Sequence, residues 1–555
     1  MKKLMSMLLA LAMVLSLAAC VKTSEVENVV GGGVSGPKAE TTKVTVGIQI
    51  RANVQDLDNN RLTEYIEEVT GYEIEFVEFS ADASEWRSQV NTMIASGEPL
   101  PDIMYGFGWN NDERYTYGSD GYLLDMKPYI YSDQAKGYRE RMAQLYGEDY
   151  LDEMIRYLAS PDGAVYAFPT VAFSDSSGIA YSTYINTKWL DNLGLEMPTN
   201  WEELVNVLRA FKTQDPNGNG KADEIPAVGM VPPSNTTTGT RTNDLPSWLL
   251  NNFLYLDDSK IFNSENGKLV FPYTTDEYRQ GVIALNQLVD EGLLSTLCWT
   301  MSPESTELNS IWGPLDETAI VGVVSGSMSQ RIANGNPVMY EYEALPPFRY
   351  APIDANIPNA YIFITENCKD PAAAMEVILA ATTEEGSMRV RYGVEGEHWE
   401  WQEDDSKAGK GIHVLEQWSS GSHNVNWGVF YGILMQYSLQ NNPYHSIPDP
   451  ENVYGNTRSD KETEHSLAYR AVGEANNPEE IVHSLIYSED EIESIGNSKT
   501  DILIYMKECR AKFATGELDP ADDAVWANYL ATLDDMGLQN YIAQSQTAWD
   551  RMNNK

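Results

Sequence analysis

KVTVGIQI (43–50), DNNRLTEYIEEV (58–69), YEIEFVEF (72–79), SEWRSQVNTMIA (84–95) and PDIMY (101–105) follow one another with only short breaks. Val44, Val46 and Ile48 alternate with polar or small residues, the two-residue period of a strand. Leu62, Tyr65, Ile66 and Val69 recur at helical spacing. Ile74, Phe76 and Phe79 return to a strand pattern. Residues 84–95 read as a second amphipathic helix, stopped by Ser96-Gly97 and Pro99, and 101–105 as a short buried strand. Strand, helix, strand, helix, strand predicts a parallel sheet covered by helices. In such sheets ligands sit beyond the carboxyl ends of the strands. The next loop, GFGWNND (106–112), offers glycines for close approach, the Trp109 ring, the Asn110 amide and the Asp112 carboxylate. These three are candidate ligand contacts. Arg51, at the end of the first strand, is a fourth, with a salt bridge to an acid as the competing reading.

Further along, Leu204, Leu208 and Phe211 share one face of a predicted helix over 201–211, capped by Thr199 or Asn200. It leads into DPNGNGKADEIP (215–226). Asp215, Asn217 and Asn219 alternate, so a tight loop can aim three side-chain oxygens inward, and Gly218 and Gly220 permit the turn. The Lys221 carbonyl, Asp223 and Glu224 complete a set of hard oxygen donors of the kind calcium requires. The first half matches an EF-hand loop; the second does not, because Pro226 stands where the bidentate Glu belongs. Only one helix flanks the loop, which predicts a structural calcium clamp and not a sensor. A plain Asn/Gly turn with a solvated acidic flank is the alternative. Helices are also predicted over 276–291, 371–382, 501–513 and 522–536, and a strand over 319–324.

The 555-residue chain is long enough for two or more domains, and its net charge of -44 argues against electrostatic binding to nucleic acid or an anionic membrane face. Met1-Lys2-Lys3 is a basic start, and Leu4 to Leu17 is an apolar run too short for a stable membrane span. It ends in Leu17-Ala18-Ala19-Cys20, which resembles the bacterial lipobox. That resemblance implies cleavage before Cys20, lipidation of its thiol and anchoring outside the cytoplasmic membrane by lipid. Residues 21–42, with three successive glycines, read as a tether.

No GxSxG, HExxH or GxxxxGK[ST] motif occurs. His398, His413 and His423 read as surface or core-edge residues, and Cys298, Cys368 and Cys509 as free thiols too far apart for a disulfide framework. Sugar rings stack on Trp and Tyr while polar side chains hold hydroxyls. On that ground Trp248, Trp299, Trp312, Trp399 and Trp427 join the candidate ligand contacts, with core burial as the competing reading for each.

MIASGEPLPDIMYG (93–106) and DGAVYAFPTV (162–171) resemble the first lobe, and the crossing to the second, of the extracellular solute-binding proteins of bacterial ABC importers. Residues 184–226 are similar to the sugar-binding lipoprotein branch of family 1, whose Asp/Asn/Gly loop resembles the structural calcium site of alginate-oligosaccharide binders. The resemblance continues through 319–328, 342–348, 368–401 and the tail to Met552. It implies a two-lobe α/β fold of the periplasmic-binding-protein kind (type II) with a cleft between the lobes. Lobe one is expected over 43–166 plus 319–365, and lobe two over 167–318 plus 366–555, with 1–20 as signal peptide. It implies capture of a carbohydrate, without catalysis, by a monomer that delivers it to membrane permease subunits. A lipid-anchored glycoside hydrolase and a receptor for acidic glycans are the alternatives.

Overall fold

Strand β1 (Lys43–Gln49) is buried at Val44, Val46, Gly47, Ile48 and Gln49, so both of its faces are covered. Gly47 has no room for a side chain: an added Cβ would lie 2.9 Å from Met104 Sδ and 3.1 Å from the Phe79 ring. The computed structural model describes residues 43–170, 179–231, 243–301, 319–326, 337–353, 359–403, 410–415, 421–428, 453–482 and 484–553. The remaining strands, in chain order, begin with β2 (Glu73–Phe79), β3 (Ile103–Tyr105), β4 (Phe168–Thr170), β5 (Thr183–Asn186) and β6 (Ile225–Val228). They continue with β7 (Asn263–Glu265), β8 (Lys268–Val270), β9 (Val321–Ser325), β10 (Tyr342–Ala344), β11 (Asn359–Ile364), β12 (Trp399–Glu403) and β13 (Lys410–Val414).

The first sheet runs β2-β1-β3-β11-β4. β1 pairs in parallel with β2 and β3, as the strand–helix alternation predicts. β11 runs antiparallel to β3 and β4, so the sheet is mixed. The first two helices start and stop where their caps dictate. Arg61–Thr70 begins at Asn60, whose side chain accepts from Leu62 N–H, and Ala83–Ser96 begins at Asp82. Both end on a glycine in the left-handed region, Gly71 and Gly97, which spares a Cβ clash there.

The second sheet runs β10-β5-β9-β6. β6 and β9 are parallel, and β5 is antiparallel to both of its neighbours. Helix Trp201–Thr213 packs on it, and Asn200 caps that helix by accepting from Glu203 N–H. Each sheet has its own core. Val46, Trp86, Phe107, Ile362, Met375 and Trp427 belong to the first; Tyr184, Trp189, Phe211, Val323, Tyr278 and Phe513 belong to the second. The fold is therefore two α/β lobes.

The lobe boundaries differ from those expected. Val321–Ser325 and Tyr342–Ala344 pair with β5 and β6, which puts the described residues of 319–353 in lobe two and not lobe one. Helices Pro371–Thr382 and Glu384–Tyr392, with the β12–β13 hairpin, pack into the first core, so 366–428 belongs to lobe one as far as it is described. An apolar strand such as 320–324 does not reveal from its own composition which sheet receives it. The C-terminal helices, from Val453–Asn476 to Leu538–Met552, return to lobe two, as expected. Among the described residues no helix is long and apolar enough to cross a membrane.

A buried ionic group ties the C-terminal helices into lobe two. Arg510 donates to Ser247 Oγ at 2.9 Å and to Asp258 Oδ2 at 2.8 Å, and lies 3.6 Å from Asp244 Oδ2. Tyr273 Oη donates to Asp258 Oδ1 at 2.7 Å. Burial raises Asp258, but the Arg510 charge, the Tyr273 hydrogen bond and the Lys507 charge together outweigh it and hold the carboxyl low. Asp244 is farther from the guanidinium. Burial pushes it to about 6, with Arg510 offsetting part of the rise and the Asp258 charge adding to it.

Candidate functional site

The carboxyl end of β3 leads into the segment the sequence singled out. Gly106 and Phe107 donate their N–H groups to Tyr361 O, which fixes the loop against β11. Asn110 then caps helix Asn111–Ser119 in a reciprocal box: its side chain accepts from Glu113 N–H at 2.8 Å, and Glu113 accepts from Asn110 N–H at 2.8 Å. Arg87 grips both oxygens of Glu113, at 2.6 and 3.0 Å, and donates to Gly108 O at 2.8 Å. Its guanidinium lies 4.2 Å over the Trp86 ring. Charge-assisted, bidentate bonds of this kind are the geometrically strict ones, so the first turn of the helix is held firmly.

That first turn reaches lobe two. Asn110, Asn111 and Asp112 line a cavity of about 360 Å³ whose opposite wall includes Lys260, Phe262, Ser484, Leu485, Tyr487 and Lys499. Asn111 Nδ2 donates to Ser484 Oγ at 2.9 Å across the junction. Asp112 Oδ2 stands 3.9 Å from Lys499 Nζ, and the same ammonium lies 5.2 Å over the Tyr487 ring. Lys260 is tied down in the wall by Asp257 at 3.0 Å and Ile353 O at 2.9 Å. Behind the turn, Arg114 is buried and donates to Asn111 Oδ1; burial lowers its guanidinium to about 10. The cavity thus has polar groups on both walls, apolar side chains among those of lobe two, and a volume in the range of small-ligand sites.

Four of the proposed stacking rings are not available for stacking. Trp109 is 3% exposed, enclosed by Trp86, Phe107, Tyr117 and Phe363. Trp248 is fully buried in lobe two, edge-on to Phe348. Trp399 donates to Gly393 O at 3.1 Å from within lobe one. Trp427 packs on Phe76 and Tyr105 and donates to Thr63 Oγ1 at 2.9 Å. A ring enclosed by protein has no face left for a sugar, so these positions belong to the cores. Trp299 is partly buried against the lobe-two core. Trp312 and Cys20 lie outside the described residues. Arg51 donates to Gln49 Oε1 at 3.1 Å and packs beside Gly428, while its Nε is buried without a hydrogen-bond partner. Among the thiols, Cys298 and Cys509 are buried, Cys368 is partly exposed, and all three are free.

The sequence reading missed the lobe-two side of the cavity. Ser484, Tyr487 and Lys499 carry no motif and lie more than 370 residues from Asn111. The one local signal is the Ser488–Glu491 capping box, which starts a helix just after Ser484 and Tyr487 and before Lys499.

The acidic loop lies in lobe two, immediately before the start of β6. Asp215 has a φ of 50°, and Gly218 and Gly220 have φ values of 70° and 72°, so the chain coils tightly. Gly220 N–H donates to Asp215 Oδ2, Asn219 N–H to Asn217 Oδ1, and Lys221 N–H to Asn219 Oδ1. Asn192 donates to Pro216 O and Asn217 to Ala319 O, which pins the loop to its surroundings. Glu224 Oε1 is buried with no hydrogen-bond partner. Burial and then the neighbouring Asp215 and Asp223 charges raise its carboxyl. Among the described residues no three His, Cys, Asp or Glu side chains gather closely enough to hold an ion by themselves. A cation here would draw on the amide and carbonyl oxygens as well, which are hard donors suited to calcium.

Residues 52–388, more than half of the chain, match the family described as bacterial extracellular solute-binding protein. Among curated proteins, the fructooligosaccharide ABC transporter substrate-binding protein FusA of Streptococcus pneumoniae is 29% identical over 248 residues, 43% of this chain and 42% of that protein. The lipoprotein LipO of Bacillus subtilis is 31% identical over 235 residues, 41% of this chain and 40% of that protein. The matched part therefore spans less than half the length of these relatives. An extracellular solute-binding protein of Bifidobacterium longum subsp. infantis has the same fold, with a TM-score of 0.72 at 22% identity over 92% of this chain and 98% of that one.

Proposed function

The chain belongs to the bacterial extracellular solute-binding protein family, and we propose that it captures an oligosaccharide and delivers it to an ABC importer. The observation that carries this reading is the cavity at the carboxyl end of β3, bounded by side chains from both lobes. The relative named for fructooligosaccharide transport supports a sugar as the ligand class. The lipobox-like 17–20 segment and the lipoprotein relative support anchoring through lipidated Cys20 on the outer face of the membrane. Capture involves no chemistry. Among the described residues lining the cavity Asp112 is the only carboxylate, and glycoside hydrolysis by the usual route needs two. The loop from Asp215 to Glu224 holds a structural calcium ion, with Asp215, Asn217, Asn219, the Lys221 carbonyl, Asp223 and Glu224 as donors. The orphaned Glu224 oxygen supports that role.

Calorimetry against mono- and oligosaccharides tests the reading. At least one oligosaccharide is expected to bind and to be recovered intact. Binding of peptides or polyamines but of no sugar would refute the ligand class, and turnover of a chromogenic glycoside would refute capture without chemistry.

A further inference from the structure

Asp112 and Lys499 face each other across the cavity from opposite lobes, with 3.9 Å between Oδ2 and Nζ and each side chain 40% exposed. That separation is too long for a direct hydrogen bond. The carboxylate only accepts and the ammonium only donates, so a ligand that satisfies both must offer a donor to one and an acceptor to the other side by side, as two neighbouring hydroxyls do. Beside them the Asn111–Ser484 bond spans the two lobes and sets the width of the gap. Ile261 and Leu485, both partly exposed, supply apolar surface for the C–H face of a ring. The Arg87–Glu113 grip on the helix start keeps Asp112 in place.

We propose that Asp112 and Lys499 form a clamp for a vicinal diol. One hydroxyl of a sugar ring donates to the Asp112 carboxylate, its neighbour accepts from the Lys499 ammonium, and a single ring ties lobe one to lobe two. This rests on the carbohydrate reading and goes beyond it by naming the ligand group that is read and the lobe-two residue that reads it. The exchange is favourable because an exposed ion pair contributes little in water, whereas hydrogen bonds to charged groups in a walled site contribute more.

The test is calorimetry of the mature chain with kestose, maltotriose and mannotriose, followed by D112N, K499M and the double variant on whichever trisaccharide the wild type binds best. Each single variant is expected to weaken binding by about 10- to 100-fold. The double variant is expected to lose less than the product of the two, because both side chains hold the same diol, and K499R is expected to recover most of the affinity. Unliganded melting temperatures of the variants stay within about 2 °C of wild type, since the pair is half-exposed. Single variants that bind within about twofold of wild type overturn the clamp and leave carbohydrate capture standing. A wild-type protein that binds none of the three trisaccharides, nor any sugar of the wider panel, overturns both.

Discussion

Removing calcium should lower the melting temperature of this protein and leave its affinity for sugar nearly intact. The loop from Asp215 to Glu224 precedes the start of β6, whereas the inter-lobe cavity lies beyond the end of β3. The loop braces lobe two through Asn192 and Asn217, which reach Pro216 O and Ala319 O. Extracellular calcium sites bind with dissociation constants of roughly 10⁻⁴ M and weaker, and tighter loops reach about 10⁻⁵ M. At 1 mM free calcium those two values correspond to about 1.4 and 2.7 kcal/mol of stabilisation. For a lobe of this size that is a shift of about 3 to 10 °C. Glu224 adds a signature of opposite sign. Burial and the Asp215 and Asp223 charges raise its carboxyl, so its charge is unwelcome without a cation. Glu224→Gln should therefore raise the melting temperature of the chelated protein and abolish the calcium-induced rise. Differential scanning fluorimetry with chelator and added calcium, on wild type and variant, reads both effects. A melting temperature that chelation does not move refutes the calcium site. Sugar binding that chelation abolishes at unchanged melting temperature refutes its role as a brace.

Two further predictions concern the lobe-two core. Arg510→Met leaves the buried Asp244 and the largely enclosed Asp258 without their cation, so denaturant unfolding should show a loss of about 3–5 kcal/mol; a loss under about 1 kcal/mol would show that the network is dispensable. His465 is buried and accepts Thr183 N–H at 3.1 Å, and burial lowers it to about 4 from an ordinary 6.5. Between those values the unfolded chain binds the proton and the folded one does not. Stability attributable to His465 is therefore complete above about pH 6.5 and falls by about 3 kcal/mol as pH drops toward 4. Asp244, raised to about 6, acts with the opposite sign over part of that range, so the difference between wild type and His465→Gln isolates the histidine. Parallel stability–pH curves for the two proteins would refute it.

The sequence made some elements plain and hid others for physical reasons. The β1–β3 unit and its two helices were readable because local periodicity and capping residues define them: Asn60, Asp82, Gly71 and Gly97 stand at the observed ends. Helix Trp201–Thr213 and its Asn200 cap were readable for the same reason. The destination of β9 was not, because sheet membership depends on partners more than 90 residues away, Ile225 to Val228. The tryptophans misled because their position after strands looks the same whether the ring points to a cleft or into a core. Trp109 sits between two residues, Gly108 and Asn110, that belong to the very loop leading to the cavity, yet its own ring turns inward to Phe363. Half of the cavity was visible as Asn110 and Asp112, and the other half came from a segment with no chemistry-bearing pattern.

The distribution of contacts explains how such a molecule could respond to a ligand. Within each lobe, aromatic clusters and buried pairs such as Arg510–Asp258 fix the structure. Between the lobes at the helix Asn111–Ser119, the contacts are polar and thin: Asn111 to Ser484 at 2.9 Å, Asp112 to Lys499 at 3.9 Å, and Ser119 to Glu489 at 3.4 Å. Exposed polar pairs of this kind contribute about 0–1 kcal/mol each, so opening the junction there costs far less than disturbing either core. A ligand bound with micromolar affinity supplies about 8 kcal/mol. If even part of that depends on both walls being in place, the ligand's preference for the closed arrangement outweighs the junction's own contacts and sets the open–closed balance. Weak inter-lobe pairing is then what lets occupancy of the cavity control the relation between two rigid lobes.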